Sequence, residues 1–308
     1  MAHDHTMQQF DTLYQMMAAF PDEQTAIDHF TAIRWKDGAY CPLCGSTKVY
    51  HFSDKRTHKC GDCRKRFSIK VGTIFEDTKI ELRKWMMAVW LVTSHTKGVA
   101  STQLAKDIGV TQKTAWFMLH RLRHAAATKS FNAPLSGEIA VDETAIGGKE
   151  KNKHASKRKH LGRGLIGKTI VMGMVQADGE VRAGVIDNAD SKTLHSVIHA
   201  HVAPGSVVVT DQHRGYRNLS PTFDHKTVNH ALGEYVKDGF TTNAVESLWA
   251  LFKRQYHGTH HWISPKHLDR YIIEMTYRLN RRLMGEGERV NSLLENASGR
   301  LTYKDLIA

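Results

Sequence analysis

Four cysteines in two close pairs constrain the N-terminal part of this chain more than any other sequence feature. The pairs are Cys41 with Cys44 and Cys60 with Cys63, and fifteen residues separate them, which gives the spacing C-x2-C-x15-C-x2-C. Two tight turns that each present two thiolates are typical of a tetrahedral zinc site. Because four thiolates complete the coordination shell, we predict one structural zinc ion per chain.

A pair of disulfides in a secreted protein is the alternative interpretation of these cysteines. Against it, the sequence shows no charged and then apolar leader, and the chain is basic: 43 Lys and Arg against 31 Asp and Glu give a formal net charge of +12. No apolar run approaches the ~18 residues that would span a membrane. We therefore expect a cytoplasmic, nucleoid-associated protein with a polyanionic partner.

The residue patterns along the 308-residue chain predict a multidomain α+β protein. Residues 1–75 are expected to hold N-terminal helices and the zinc ribbon, whose bulky and basic residues alternate as in short strands. Residues 76–130 have helical periodicity. Residues 131–308 show strands with interspersed helices, which predicts an α/β domain with a mixed sheet.

The segment ASTQLAKDIGVTQKTAWFMLHRLRHAA has the layout of a helix-turn-helix. A short helix near 101–108 is followed by a turn at Gly109 and by a second helix capped by Thr111. Lys113 and Arg121 are the candidate DNA contacts on the second helix. A helical hairpin that does not touch DNA is the alternative.

Two aspartates belong to separate predicted strands of the C-terminal domain. Asp142 lies within the strand GEIAVDETAIGG, and Asp211 ends the apolar strand GSVVVTD. After the first of these strands comes a segment, residues 149–168, with eight Lys or Arg and one Glu. It is expected to form a mobile loop, either a solvated insertion or a phosphate-binding segment that uses Lys157, Arg158 and Lys159.

Residues 241–258 predict an amphipathic helix with a third carboxylate on its polar face. Glu246, Ala250 and Lys253 fall in one line along this helix, and Asn243 lies about a turn before Glu246. An ordinary solvated face is the simpler interpretation of Glu246 alone. Phosphodiester cleavage, however, uses two divalent ions about 3.5–4 Å apart, and carboxylates hold such ions. Asp142, Asp211 and Glu246 together therefore predict a site for two Mg²⁺ or Mn²⁺ ions.

Five segments of the sequence resemble bacterial insertion-sequence transposases that combine an N-terminal zinc ribbon, a helix-turn-helix and an RNase H-like DDE-type catalytic domain. These segments are RWKDGAYCPLCGS, AVDETAIGGKE, VVTDQHRGY, VNHALGEYVKDGFTTNAVESLWALFKR and HLDRYIIEMTYRLNRR. The resemblance extends over nearly the whole chain.

The resemblance implies that Asp142 and Asp211 are the first two acidic residues of the catalytic site and that Lys253 contacts DNA. The third position falls in the NAVE segment, on Glu246 or on Asn243. We favour Glu246, because a carboxylate binds Mg²⁺ better than an amide does.

The implied activity is metal-dependent cleavage and transfer of DNA strands with a DNA 3′-hydroxyl as the nucleophile. The implied partners are double-stranded element ends and target DNA, and bringing two ends together favours a homodimer or a larger assembly. A DNA-binding regulator without catalysis and a structure-selective nuclease are the alternative functions.

Overall fold

The computed structural model describes residues 9–127, 133–148, 154–158, 167–177, 179–219, 221–229, 236–237 and 239–308. The chain divides into two compact units, which are Met1–Thr128 with Arg281–Ala308 and Lys129–Asn280. No helix in the described ranges combines the length and the apolar character needed to cross a membrane.

The first unit is mainly helical. Its helices are α1 (Leu13–Ala19), α2 (Glu23–Arg34), α3 (Leu82–Ser94), α4 (Ser101–Ile108), α5 (Gln112–Ala126), α9 (Glu286–Glu295) and α10 (Tyr303–Ile307). Asp22 caps α2 by accepting a hydrogen bond from the Thr25 backbone N–H at 2.8 Å. Glu23 in turn accepts hydrogen bonds from the backbone N–H groups of Leu82 and Arg83 at 2.9 and 3.0 Å. One carboxylate of α2 therefore caps the start of α3.

The cysteine-rich segment forms a three-stranded antiparallel sheet of β1 (Val49–His51), β2 (Thr57–Cys60) and β3 (Arg66–Ser68). The segment that follows its last strand is tied to the end of α2, because the Arg34 guanidinium donates hydrogen bonds to the carbonyls of Ile69 and Val71. The short strands predicted for this segment are confirmed.

Helices α4 and α5 form the predicted helix-turn-helix. Gly109 ends α4 in the left-handed conformation, with φ of +64°. Thr111 caps α5 by accepting a hydrogen bond from the Thr114 backbone at 3.2 Å. The bounds of α4, the turn at Gly109 and the Thr111 cap agree with the sequence prediction.

Residues 281–308 pack with the first unit, whereas the sequence pattern predicts them to belong to the C-terminal α/β domain. Helix α9 lies against α2, α3 and α5, and the Ile74 backbone N–H donates to the Ala297 carbonyl at 2.9 Å. Further along, the Tyr303 ring stacks edge-on against Phe117 of α5. The apolar face of α9, formed by the buried residues Val290, Leu293 and Leu294, thus packs against the N-terminal helices.

The second unit is built on a five-stranded mixed sheet in the order β6-β5-β4-β7-β8. Its strands are β4 (Glu138–Ile146), β5 (Thr169–Gln176), β6 (Val181–Ile186), β7 (Val207–Asp211) and β8 (Asp224–Val228). Strands β4, β5 and β6 pair antiparallel, and β7 pairs parallel to both β4 and β8. This sheet and its flanking helices confirm the mixed α/β architecture predicted from the sequence.

Each face of the sheet has its own apolar core. One face is covered by α7 (Asn243–Gln255) and α8 (Leu268–Asn280), and the other by α6 (Ser191–His201) and the short turn of 3₁₀ helix Arg214–Tyr216. Alternation along β4 sends Ala140 and Ile146 to the first core and Ile139 and Val141 to the second. Two-sided burial explains why β7 is an almost continuous apolar run.

A buried polar network joins the ends of α7 and α8. Arg278 forms an ion pair with Glu274, and its guanidinium donates to the Gln255 side-chain oxygen at 3.0 Å. All three side chains are buried. Because Arg278 of α8 bonds to Gln255 of α7, this network determines which face of α8 packs against α7.

The outer edge of β6 is covered by side chains of α8. Asn280 accepts a hydrogen bond from the Val181 N–H at 2.8 Å and donates one to the Val181 carbonyl at 2.9 Å. The Val185 N–H donates to Asp269 at 3.1 Å. Backbone groups that would otherwise be open at this edge are therefore satisfied within the unit.

Candidate functional site

The four cysteine side chains converge at one point in the ribbon. Their ligand atoms all lie within 4.8 Å of one another, with Sγ–Sγ distances of 3.8 Å for Cys41–Cys63 and 3.6 Å for Cys44–Cys60. A tetrahedron with Zn–S bonds of about 2.3 Å has edges close to these distances, whereas a disulfide needs about 2.05 Å. The cysteines are clustered suitably for zinc and are not disulfide-bonded.

The register of the parallel strands β4 and β7 brings the first two aspartates side by side. The last paired residues are Ala140 and Val209, and Asp142 and Asp211 each follow two positions later on their own strand. Since side chains alternate with period two, both carboxylates lie on the same face of the sheet, just beyond the paired part of β4 and β7.

The proximity of the two aspartates appears in the electrostatics of Asp142. Burial of this side chain, followed by the neighbouring charges of Glu143 and Asp211, raises the pKa of Asp142 to about 7. The ionised carboxylates therefore repel one another when no cation lies between them. A divalent ion would relieve this repulsion, so the donor set and its charge fit such a ligand.

Trp249 of α7 packs directly behind Asp142. Its indole lies over Gly173, the β5 residue opposite Asp142, and a Cβ atom on Gly173 would come within 2.6 Å of the ring. The buried indole N–H lies close enough to the Asp142 carboxylate to lower its pKa, although it meets the geometry of a hydrogen bond to no described group. The missing side chain at Gly173 thus lets α7 approach the strand that carries Asp142.

The third candidate carboxylate lies in the first turn of α7. Glu246 is exposed, and its Oε1 accepts a hydrogen bond from the Thr242 hydroxyl at 3.2 Å. The positive end of the helix dipole favours a carboxylate at this place. Asn243 opens the same helix and is exposed, and Lys253 is exposed on the same stripe two turns after Glu246. The polar face expected from the sequence is therefore on the surface of α7.

The three candidate carboxylates are spread more widely than the ligands of a single ion. In the described ranges, the cysteine cluster is the group that brings three or more His, Cys, Asp or Glu ligand atoms within 4.8 Å of one another. Asp142, Asp211 and Glu246 do not meet this spacing. Two ions about 3.5–4 Å apart need ligands that are spread more widely than the ligands of one ion.

Three further residues belong to this site and were missed from the sequence. The Tyr216 hydroxyl donates a hydrogen bond to Glu143 Oε2, and His213 Nδ1 lies 3.4 Å from Glu143 Oε1. Burial and the Glu143 carboxylate raise the pKa of Tyr216 well above its usual range, so the phenol stays protonated. The acidic pair Asp142-Glu143 and the proximity of His213 and Tyr216 to Asp211 were the available signals.

The predicted DNA contacts differ in where the structure places them. Lys113 is exposed in the first turn of α5, where its ammonium lies 5.6 Å from the centre of the Tyr303 ring. Arg158 is exposed after a short turn of 3₁₀ helix. The side chain of Lys157 and all of Lys159 lie outside the described residues.

The structure corrects the prediction that Arg121 contacts DNA. Its side chain is 6% exposed, and its guanidinium donates hydrogen bonds to the carbonyls of Ile74 and Glu76 at 2.8 and 2.9 Å. Helical periodicity placed it among the polar groups of α5, but the segment after the ribbon covers that face. The position of Arg121 therefore does not support a contact with DNA.

Substitution of Asp142 is expected to stabilise the second unit without divalent metal, and more so at higher pH. Because the folded-state pKa of about 7 exceeds the ordinary value of 3.8, the stability of wild-type protein falls as pH rises through this interval. Asp142→Asn removes that dependence. Denaturant unfolding in buffer free of Mg²⁺ and Mn²⁺ should show a larger gain at about pH 8 than at about pH 5.

Asp224→Asn is the matched control for this measurement, since Asp224 is exposed and lies 2.9 Å from the ammonium of Lys226. It should give no gain in stability at either pH. An Asp142→Asn gain that is equal at both pH values would contradict the prediction.

Two sequence profiles match this chain. The profile of the ISXO2-like transposase domain matches residues 134–280, and that of the transposase zinc-ribbon domain matches residues 21–66. The first covers almost the whole second unit, with Asp142, Asp211 and Glu246. The second covers α2 and the cysteine cluster.

Individual relatives agree with the profiles. A protein of the transposable element ISH50 from Halobacterium salinarum is 28% identical over 263 residues, which is 80% of this chain and 85% of that protein. A transposase-like protein from Haemophilus influenzae is 30% identical over 100 residues, which is 31% of this chain and 77% of the relative.

Among solved structures, a pre-cleavage Mos1 transpososome aligns with 70% of this chain and 80% of its own, at 11% identity and a TM-score of 0.25, which is too distant to bear on function. The profiles and the two relatives lead to one assignment. The chain belongs to the family of insertion-sequence transposases that join a transposase zinc ribbon to an ISXO2-like transposase domain.

Proposed function

We propose that this transposase binds the ends of its element and catalyses metal-dependent cleavage and transfer of DNA strands, with a DNA 3′-hydroxyl as the nucleophile. The observation that carries the proposal is the placement of Asp142, in the middle of β4, and Asp211, at the end of β7, on the same face of the sheet just beyond the paired part of these two strands, where their charges interact. A site that concentrates negative charge in a chain of net charge +12 is suited to cations rather than to phosphate alone.

Asp142, Asp211 and Glu246 are the side chains that would hold two Mg²⁺ or Mn²⁺ ions. When bound, such ions activate the attacking oxygen and stabilise the leaving oxygen of the phosphodiester. The protein's own contribution is to hold the carboxylates on rigid elements: two are on strands of a sheet buried on both faces, and one is in the first turn of a packed helix. Asn243 lies beside Glu246 on that turn and is the alternative third ligand.

Positively charged side chains would hold the DNA. Lys253 shares the exposed stripe of α7 with Glu246, and Ala250 between them leaves room for a sugar–phosphate backbone. Lys113 in the first turn of α5 and the basic segment with Lys157, Arg158 and Lys159 would add phosphate contacts. Bringing two element ends together requires a homodimer or a larger assembly, which we propose on this functional ground.

The acidic residues give the most direct test. Asp142→Asn, Asp211→Asn and Glu246→Gln should each lower strand cleavage and strand transfer by at least about 10³-fold, because each removes several kcal/mol of charge stabilisation and a tenfold rate change corresponds to about 1.4 kcal/mol. Binding of labelled element ends should change little. Mg²⁺ or Mn²⁺ should support the reaction and Ca²⁺ should not.

Asp224→Asn serves again as the exposed control and should retain activity. Loss of activity in Asn243→Ala together with retention in Glu246→Gln would move the third ligand to Asn243. Cleavage that yields nicked ends but never joined products would favour the alternative nuclease. End binding without any cleavage would favour the regulator.

The DNA-binding role of the helix-turn-helix can be tested at Lys113. Lys113→Ala should weaken binding to element ends and reduce the slope of log K against log salt by about 1, as expected for one lost phosphate contact. Lys36→Ala is the matched control, because Lys36 is an exposed lysine that pairs with Glu295 on the same unit. Equal salt slopes for both variants and wild type would exclude Lys113 as a phosphate contact.

The zinc prediction rests on the convergence of the four thiols. Protein purified without chelators should contain one zinc per chain, and Cys60→Ser should lose it together with the ribbon structure, because structural zinc contributes folding free energy. Limited proteolysis should then cut within residues 38–70 while the second unit stays intact. Zinc-free wild-type protein with a protease-resistant ribbon would contradict this prediction.

A further inference from the structure

Glu143 joins the two segments that carry the proposed metal ligands. It follows Asp142 on β4, but strand alternation directs its side chain to the opposite face of the sheet, where Tyr216 is buried. Its side chain is largely covered, with 13% of its surface exposed. Asp142 and Glu143 therefore have different surroundings although they are neighbours in sequence.

The segment after β7 is folded back onto Glu143. The His213 backbone N–H donates to Asp211 Oδ1 at 2.9 Å, and the His213 ring lies 3.4 Å from Glu143 Oε1. Three residues later the Tyr216 hydroxyl donates to Glu143 Oε2. Both oxygens of one carboxylate thus contact the turn that begins at Asp211.

Close packing holds this turn in place from its other side. A Cβ atom on Gly215 would come within 2.6 Å of the Leu194 side chain and 3.0 Å of the Ala189 carbonyl. Tyr216 is 1% exposed within the apolar core beneath α6. The turn is therefore pressed against α6 and its only polar anchor to β4 among the contacts described is Glu143.

We propose that Glu143 is a positioning residue: held by the Tyr216 hydroxyl, it fixes the Asp211 turn against β4 and so sets the spacing between the carboxylates of Asp142 and Asp211. This inference rests on the proposed function, because the spacing matters only if both carboxylates bind metal. Groups that orient metal ligands commonly change metal affinity by about 10–100-fold when removed.

Binding of Mn²⁺ alone, measured by calorimetry on the zinc-loaded full chain without DNA, tests this role separately from catalysis. Tyr216→Phe and Glu143→Ala should each weaken Mn²⁺ binding about tenfold. The double variant should bind Mn²⁺ no more weakly than Glu143→Ala alone, because that variant already removes the link to Tyr216. Glu143→Gln keeps an oxygen that accepts the Tyr216 hydrogen bond, and it should restore most of the affinity.

Three further measurements distinguish a specific effect on metal binding from a general effect on folding. Tyr256→Phe changes a buried tyrosine on the other face of the sheet and should bind Mn²⁺ as wild type does. Thermal unfolding of every variant identifies any that fails to fold. The Mg²⁺ concentration for half-maximal cleavage should rise in Tyr216→Phe by the same factor as its Mn²⁺ dissociation constant.

The outcomes separate the inference from the function on which it rests. If neither the wild-type protein nor Asp142→Asn binds Mn²⁺, the proposed metal function fails. If Asp142→Asn loses binding while folded Tyr216→Phe and Glu143→Ala bind normally, the function stands and the positioning role is overturned. Loss of binding in Glu143→Gln as complete as in Asp142→Asn would also overturn it, because Glu143 would then be a ligand itself.

Discussion

The parallel pairing of β4 with β7 is the constraint on which the candidate site depends. Side chains alternate along each strand, so a slip of one residue would turn one aspartate to the opposite face from the other. The apolar residues around them prevent such a slip: Val141, Val208 and Val209 are fully buried. The hydrophobic pattern of the two strands thus determines the geometry of the charged residues that follow it.

Helix α7 depends on two further features of the same unit. Gly173 admits the Trp249 ring, and the network of Gln255, Glu274 and Arg278 joins the far end of α7 to α8. Buried ion pairs often add little to stability, because desolvation opposes the attraction between the charges. We interpret this pair as a device for specificity, since the three polar side chains meet only when the two helices are aligned in this way.

Much of the fold could be predicted from the sequence because its signals are local. Cysteine spacing, the Gly109 turn, the Thr111 cap and the apolar periods of β7 and α7 each depend on residues near one another in the chain. These patterns located the ribbon, the helix-turn-helix and the strands of the mixed sheet.

The features that could not be predicted are contacts between distant segments. Arg121 is buried because the carbonyls of Ile74 and Glu76 accept its hydrogen bonds, and nothing in the α5 sequence indicates this. In the same way α9 packs on helices that precede it by well over a hundred residues. The hydrogen bond between Glu143 and Tyr216 joins positions 73 residues apart, so no local pattern in the sequence indicates it.

The covered edge of β6 limits how copies of this protein can associate. A strand from another chain could join the sheet there only after the hydrogen bonds between Val181 and Asn280 had been broken. The Asp269 carboxylate, which is bonded to the Val185 N–H, would also stand in its way. Sheet extension is a common route to uncontrolled self-association, and α8 closes that route at this edge. Copies that associate at the β6 edge would accordingly have to meet through side-chain surfaces, whereas β8 forms the opposite edge of the sheet.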